Sequence, residues 1–584
     1  MGRERLILAI LCSTSSACRP APDQAPVRTT ASNLTTSAHG TNMLQEVVAY
    51  LVFPAFLMVL SWKLWGRYST PSDPACALPL PEGTTGLPII GETLSFVLEG
   101  ADFSRKRHAL YGDVFKTHIL GHPTIRVRGA ENVRKVLRGE NDIVGTMWPD
   151  NFRMVLGTEN LAMCSSGPVH RQRKKIVMRA FRHDALEIYA DSMQAMIADT
   201  LRTWCRGPQP LAVYPAAREM MFRLAIAVLV GFHQDEDEIS RVGPLFKTAV
   251  KNIFSLPLNV PGSALRKALQ CRREIDEWLK RHIHEKQAQI WRGEVPDDVL
   301  SFIISSAKDS GEKLSDQELQ DTAMELLFAG HETTSSAATS LIMHLALQPQ
   351  VVQKVHEDLE KHGLLQPDQP LSLEQVGRLT YVGQVVKEVL RLSPPVGGGF
   401  RKALKTFEIG GFQVPEGWAV MYSIRDTHSA SQVFSSPEQF DPDRWGSVDS
   451  TATRYDFLPF GGGPRACAGK EFAKLQLKLL CVELVRTCRW ELADGKVPET
   501  KTVPVLHPTN GLPVNFLSLD DVTTKQGAAD GLSASAHASL TNTDLVTRSD
   551  PCLTLDKNGN LYPTNQQNTP DTVTMVGPDL SSIV

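Results

Sequence analysis

Residues 460–469 read Phe-Gly-Gly-Gly-Pro-Arg-Ala-Cys-Ala-Gly and run straight into KEFAKLQLKLLCVEL, residues 470–484. A cysteine in a glycine-rich loop just ahead of a helical run is a demanding arrangement. Backbone N–H groups at a helix N-terminus favour an anion, so the position suits a thiolate that ligates a metal. Gly461, Gly462, Gly463 and Gly469 let the backbone approach a flat cofactor with no Cβ in the way. Arg465 is placed to pair with an acidic group of that cofactor, and Phe460 to shield the sulfur from water. A lone cysteine in a turn is usually structural. Here the pattern Phe-x-x-Gly-x-Arg-x-Cys-x-Gly is complete, and it assigns Cys467 as a ligand.

Upstream, Ser315 followed by Glu318 forms a capping box, and the residues after it keep a helical pattern to about Leu347. Such a helix is roughly 50 Å long, enough to cross a domain. Inside it stands Ala329-Gly330-His331-Glu332-Thr333-Thr334. A mid-helix glycine costs about 1 kcal/mol relative to alanine. Gly330 would offset that by leaving room for a ligand, and the Thr333 hydroxyl can bond back to the Ala329 carbonyl and loosen the helix. The plain alternative is that these threonines simply pack against the core.

The cysteine loop and the 329–334 motif together resemble the cytochromes P-450. The resemblance implies a mainly α fold with a small β region, a b-type haem held by Cys467, and electrons from an NADPH-dependent reductase. It implies that Thr333 orients a water and Glu332 relays protons to the oxygen site. It makes Glu388, Arg391 and Arg444 a buried charge network behind the haem. The first two lie in VVKEVLRLSPP and the third in PEQFDPDRW. Arg465 and Arg401 become propionate partners. His170 and Lys174 stand where many members have Trp and Arg, so Arg171 and Arg173 compete for that role. RQRKK also reads as a solvated helix face. Lys470, Lys474 and Lys478 recur every four positions, either as a solvated stripe or as a dock for an acidic reductase.

Composition is ordinary for a globular protein: 42% apolar and 21% charged over 584 residues. A net charge of −3 argues against bulk attraction to nucleic acid. The ten cysteines show no repeated spacing, which suits a reducing compartment. Residues 1–42 read as a poorly ordered extension with a short apolar run, LILAILC, and an Asn33-Leu34-Thr35 sequon. Residues 43–65 are strongly apolar and just long enough to span a bilayer, with a kink expected at Pro54. A buried core helix is the alternative. Lys63 and Arg67 follow the run closely, whereas the nearest preceding cation is Arg28. The positive-inside rule then leaves the bulk of the chain in the cytosol, on a single-pass anchor in the endoplasmic reticulum membrane. Residues 66–91 form a Pro/Gly hinge, 92–519 the catalytic domain with strands expected at 114–120, 124–127 and after 400, and 520–584 a disordered tail.

Finer text points to a branch. LPLPEGTTGLPIIGETLSFVL, LLFAGHETTSSAATSL and PPVGGGFRKALKTFEIGGFQVPEGWAVMYSIRDTH are similar to the retinoic acid hydroxylases, cytochrome P-450 family 26. The implied substrate is all-trans retinoic acid, oxidised on its ring. By the same resemblance Trp148, Phe328 and Phe400 form pocket walls, Val396 lies near the ring and Arg126 meets the carboxylate. Core packing for the aromatics and a surface site for Arg126 are the alternatives. The branch usually has Pro where this chain has Gly397. Competing functions are a sterol or fatty-acid monooxygenase, a haem-thiolate isomerase, and a non-catalytic retinoid-binding protein. The retained Glu332-Thr333 pair counts against the isomerase.

Overall fold

The computed structural model describes residues 51–68, 72–87, 90–164, 167–232, 236–255, 257–448, 454–519, 553–555 and 561–563. The chain divides into a body, residues 1–516, and a second unit, residues 517–584. Helices dominate the body and small sheets accompany them. Its largest core is made by helix faces and includes Leu327, Leu341, Val385, Leu479 and Val482.

The main sheet has five strands, in the spatial order Val114–Ile119, His122–Val127, Ala419–Ser423, Gly398–Ala403, Val144–Thr146. The pairing of His122–Val127 with Ala419–Ser423 is parallel and the others are antiparallel. Every residue of the central strand, AVMYS, is buried, as a strand covered on both faces requires. Its register sets Arg126 opposite Met421, and Met421 opposite Phe400. Three residues from distant parts of the chain therefore sit side by side.

The long helix runs Asp316–Ala346, about 46 Å at the usual rise. Its capping box is complete: the Ser315 hydroxyl accepts from the Glu318 N–H, and the Glu318 carboxylate accepts from the Ser315 N–H. The helix stays α-helical through Gly330. A Cβ at 330 would overlap Leu229 of the π-helical segment Ala225–Val230. On the side where a Cβ would stand, the room left by Gly330 admits Leu229.

The first described helix is Phe53–Tyr68. Residues 51–52 ahead of it are π-helical, so Pro54 stands where π-helix passes into α-helix. The stretch 43–50 lies outside the described residues. Among those described, no helix is long and apolar enough to cross a membrane. In the second unit, strands Leu553–Leu555 and Leu561–Pro563 pair antiparallel within the segment expected to be disordered. Their sequences flank Asn558-Gly559, a dipeptide that favours tight hairpins.

Candidate active site

The cysteine loop is closed by the Cys467 N–H, which donates to the Phe460 carbonyl at 3.0 Å. Gly463 has φ 66°, and a Cβ there would strike the Leu137 carbonyl; Gly462 packs on the Leu137 side chain. Gly462 and Gly463 therefore let the loop seat on helix Ala130–Arg138. Helix Lys470–Thr487 starts directly after the loop. Cys467 is exposed by accessible area, yet the protein around it pushes its thiol up by burial. The Gly469 N–H and the Lys174 and Lys470 ammonium groups pull the other way. Accessibility combined with enclosure is what an internal space produces. Across from it, Ala329 is exposed and Thr333 half-exposed in a helix whose neighbouring turns are buried. Glu325, one turn before Ala329, acts electrostatically on the Cys467 thiol, so the loop and the long helix face each other.

On that helix the Thr333 hydroxyl donates to the Ala329 carbonyl at 2.6 Å. Glu332 does not point the same way. It is 2% exposed and ion-paired with Arg218 of helix Val213–Leu224. Arg218 carries no sequence signal, being one cation on an amphipathic helix. Its presence and burial push His331 down to about 3, burial being the larger cause. Burial, then Glu332, pushes Tyr214 up to about 12.

Two sequence-assigned arginines meet on one carboxylate that the sequence did not mark, Glu140, and His170 and Lys174 stand beside them. Arg401 Nε donates to Glu140 Oε2 at 2.7 Å, and Arg465 Nε donates to Glu140 Oε1 at 3.3 Å. Lys174 Nζ donates to the Pro464 and Ala466 carbonyls, at 2.7 and 2.9 Å. His170 is buried, and burial with Arg465 and Lys174 pushes it down to about 4, so it is neutral at physiological pH. Arg171 is exposed and Arg173 pairs with Glu159 and Glu318, so neither joins the cluster. Two arginines thus share one buried carboxylate, and the Lys174 ammonium beside them holds only backbone carbonyls. A thiol facing an enclosed space, ringed by cations in excess, fits haem: a thiolate-bound iron with two propionates.

The charge network assembles as the resemblance implied. Arg391 donates to Glu388 through Nε at 2.9 Å and Nη2 at 2.8 Å, and Arg444 Nε donates to Glu388 Oε1 at 3.0 Å. All three are buried. Sequence reading missed two members. Trp445 Nε1 donates to Glu388 Oε2 at 3.0 Å. His428 accepts at Nε2 from the Leu458 N–H at 2.8 Å, and its Nδ1 lies 2.9 Å from the Arg391 carbonyl. Accepting at Nε2 requires the neutral ring with the proton on Nδ1. His428 therefore ties the network to the segment that enters the cysteine loop.

The substrate-wall candidates fall into two groups. Trp148 and Phe328 each contact the Phe152 ring, with centroids 5.6 and 6.2 Å away. Phe400 instead joins Phe96, Phe103, Ile119 and Met421. Arg126 belongs with this second group. Its guanidinium lies 5.5, 5.8 and 6.0 Å from the rings of Phe96, Phe103 and Phe115. It is 3% exposed, which removes the surface reading, and its Nε and Nη1 have no hydrogen-bond partner. Asp426 lies 3.7 Å from Nη2. Val396 is exposed and lies apart from both clusters. Of the expected lysine stripe, Lys470 is exposed and Lys474 half-buried, both paired with Glu471, while Lys478 turns inward to the Val376 carbonyl.

A family model described as Cytochrome P450 matches residues 81–516. The chain is 45% identical to Cytochrome P450 26B1 of Bos taurus over 485 residues, 82% of this chain and 94% of that one. It is 44% identical to Cytochrome P450 26C1 of Homo sapiens over 494 residues, 80% of this chain and 94% of that one. A solved structure titled "Retinoic acid bound cyanobacterial CYP120A1" is 34% identical, with a TM-score of 0.69, covering 76% of this chain and all of that one. Residue pattern, helical architecture and these likenesses agree, and the chain belongs to the cytochrome P450 family.

Proposed function

We propose that this cytochrome P450 is a haem-thiolate monooxygenase that hydroxylates all-trans retinoic acid, using O2 and electrons passed from NADPH by a reductase. The observation that carries the substrate is Arg126. A buried guanidinium among phenylalanines, with unpartnered donors, recognises an acid at the end of an apolar molecule. Asp426 neutralises part of its charge and keeps it tolerable when the pocket is empty. The likeness to a protein whose title states bound retinoic acid supports the same reading.

Cys467 would hold the haem b, and Arg401, Arg465, His170 and Lys174 would meet its propionates. When bound, haem supplies the oxygen-activating iron, made electron-rich by its thiolate. Thr333 manages the proton. Turning its hydroxyl away from the Ala329 carbonyl frees it to hold a water and hand a proton inward. Glu332 resupplies that proton after leaving Arg218, so Arg218 sets how readily the carboxylate becomes available. Trp148, Phe328 and Phe400 exclude water around the polyene, and Val396 lies near its ring.

Electrons enter on the cysteine-loop side, where Lys470 and Lys474, each now paired with Glu471, are the cations available to an acidic reductase. Residues 43–65 anchor the chain once in the endoplasmic reticulum membrane with the body in the cytosol. Leu51, Phe53, Phe56, Met58 and Trp62 are exposed in the described part of this stretch, as lipid-facing residues are. Optical titration of the ferric protein with all-trans retinoic acid tests the substrate. A low-to-high-spin shift at about micromolar acid or below supports it. No shift with retinoic acid, but one with sterols or fatty acids, overturns it.

A further inference from the structure

The segment that joins helix Asp150–Leu156 to helix Pro168–Arg179 crosses the long helix and has no regular pairing of its own. Its backbone donors must find partners elsewhere. Two carboxylates of the long helix supply them. Asp321 Oδ2 accepts the Glu159 N–H at 2.9 Å. Glu325 accepts twice, from the Leu161 N–H at 2.9 Å on Oε2 and from the Ala162 N–H at 2.8 Å on Oε1. Carbonyls of the same segment accept from active-site residues. Arg465 Nη1 donates to the Leu161 carbonyl at 3.2 Å, and its Nη2 donates to the Cys164 carbonyl at 3.0 Å. Trp148 Nε1 donates to the Ala162 carbonyl at 3.0 Å.

The two carboxylates differ in what else they do. Asp321 is bound to Arg272 of helix Ala264–Trp291 at 2.6 Å, and Arg272 Nη1 also donates to the Val155 carbonyl. Asp321 therefore belongs to a packing network between helices. Both oxygens of Glu325 go to the segment. A peptide gripped by its N–H has its C=O aimed the opposite way, because the peptide unit is planar. The Ala162 N–H and the Leu161 C=O form one peptide, so Glu325 directs the carbonyl that holds the propionate arginine. The Ala162 carbonyl that holds Trp148 belongs to the next peptide, whose Met163 N–H donates to Asn160 Oδ1 at 2.9 Å, so Glu325 anchors it only through the backbone of Ala162. Burial pushes the Glu325 carboxyl up to about 7, and when it is ionised each of its two bonds is stronger than a neutral pair.

We infer that Glu325 is a positioning residue: it grips the N–H groups of Leu161 and Ala162 and thereby places Arg465 against the haem and Trp148 against the substrate. The inference rests on the haem and retinoid reading proposed above. Glu325 touches neither ligand. It acts through a backbone segment two peptides long.

The test uses the haem-loaded full chain and its E325Q variant. Glutamine keeps the length and one acceptor oxygen, but turns an NH2 towards the second backbone N–H. Three quantities are read: the retinoic acid spin-shift Kd, the rate of haem loss to a scavenging apoprotein, and the split between KM and kcat. E325Q is expected to weaken retinoic acid by about tenfold, the equivalent of one displaced charge-assisted bond. Haem loss is expected to quicken severalfold, with KM rising and kcat staying within about twofold. A general loss of stability would instead lower kcat and the melting temperature together. Wild-type Kd and wild-type haem retention in E325Q overturn the inference. An absent spin shift in the wild-type chain overturns the retinoid reading instead, and haem retention then still decides for or against Glu325. If E325Q does not fold, E325D carries the test. Aspartate keeps the charge beside Arg465 but cannot reach both amides, so an unchanged Kd and haem-loss rate there also overturn the inference.

Discussion

Arg126 and Thr333 show how much one side chain's surroundings add to its type. Arg126 lies on a strand where an arginine ordinarily faces water, and only the three rings around it reveal a buried cation. Burial lowers its pKa to about 10, so it remains charged at neutral pH. Replacing it with alanine removes a charge-assisted bond to the acid, worth about 1.5–3 kcal/mol. Arg126→Ala is expected to weaken retinoic acid by about tenfold or more while leaving the methyl ester of the same polyene nearly unchanged. Equal losses for acid and ester, in parallel optical titrations, would remove Arg126 from carboxylate recognition. Thr333→Ala deletes the hydroxyl now bonded to Ala329. It is expected to lower product formed per NADPH oxidised by an order of magnitude or so, with hydrogen peroxide appearing instead. Full coupling, measured as the NADPH-to-product ratio, would take Thr333 out of the mechanism.

At the scale of elements, helix Thr380–Leu392 and the loop segment around residue 458 are joined by buried polar groups, not by apolar packing alone. Glu388 is the hub, with Arg391, Arg444 and Trp445 on its oxygens. Removing one member leaves charges buried without a partner, at a cost of about 3–5 kcal/mol. Glu388→Ala is expected to abolish accumulation of folded, haem-loaded protein. A variant with a normal melting temperature would show the network to be dispensable. His428 adds a pH dependence to the same junction. Burial holds it down at about 4, below its unfolded value of 6.5. Between those values the unfolded chain binds the extra proton, so stability is full above about pH 6.5 and falls as the pH drops towards 4. His428→Leu cannot be protonated there. It is expected to be less stable than wild type at pH 7 and to show a shallower loss of melting temperature on acidification. An equal slope in both proteins would assign the acid lability to other groups.

For the molecule as a whole, the long helix, the five-stranded sheet and the cysteine loop bring residues of distant segments together. The apolar surface of the first described helix has no counterpart in the core of the body. Deleting residues 1–71 is expected to move the protein from the membrane pellet to the soluble fraction while preserving its retinoid spin shift. Continued sedimentation with membranes would place the anchoring surface on the body itself.

What the sequence determined by itself were features set by local chemistry. Cys467 in its loop, the capping box at Ser315, the Thr333 back-bond and the strands near 114 and 122 each depend on residues within a few positions of one another. The Glu388 network was legible for another reason, because its members stand in two compact patterns. Tertiary structure decided everything that needs a partner far along the chain. Glu332 faces Arg218, Gly330 faces Leu229, Arg401 and Arg465 converge on Glu140, and Glu325 grips a loop more than a hundred and sixty residues upstream. No pattern in the sequence marks Glu140, Arg218 or Glu325. A carboxylate or guanidinium acquires its role from the dielectric and the donors that folding brings to it, and those exist only in three dimensions.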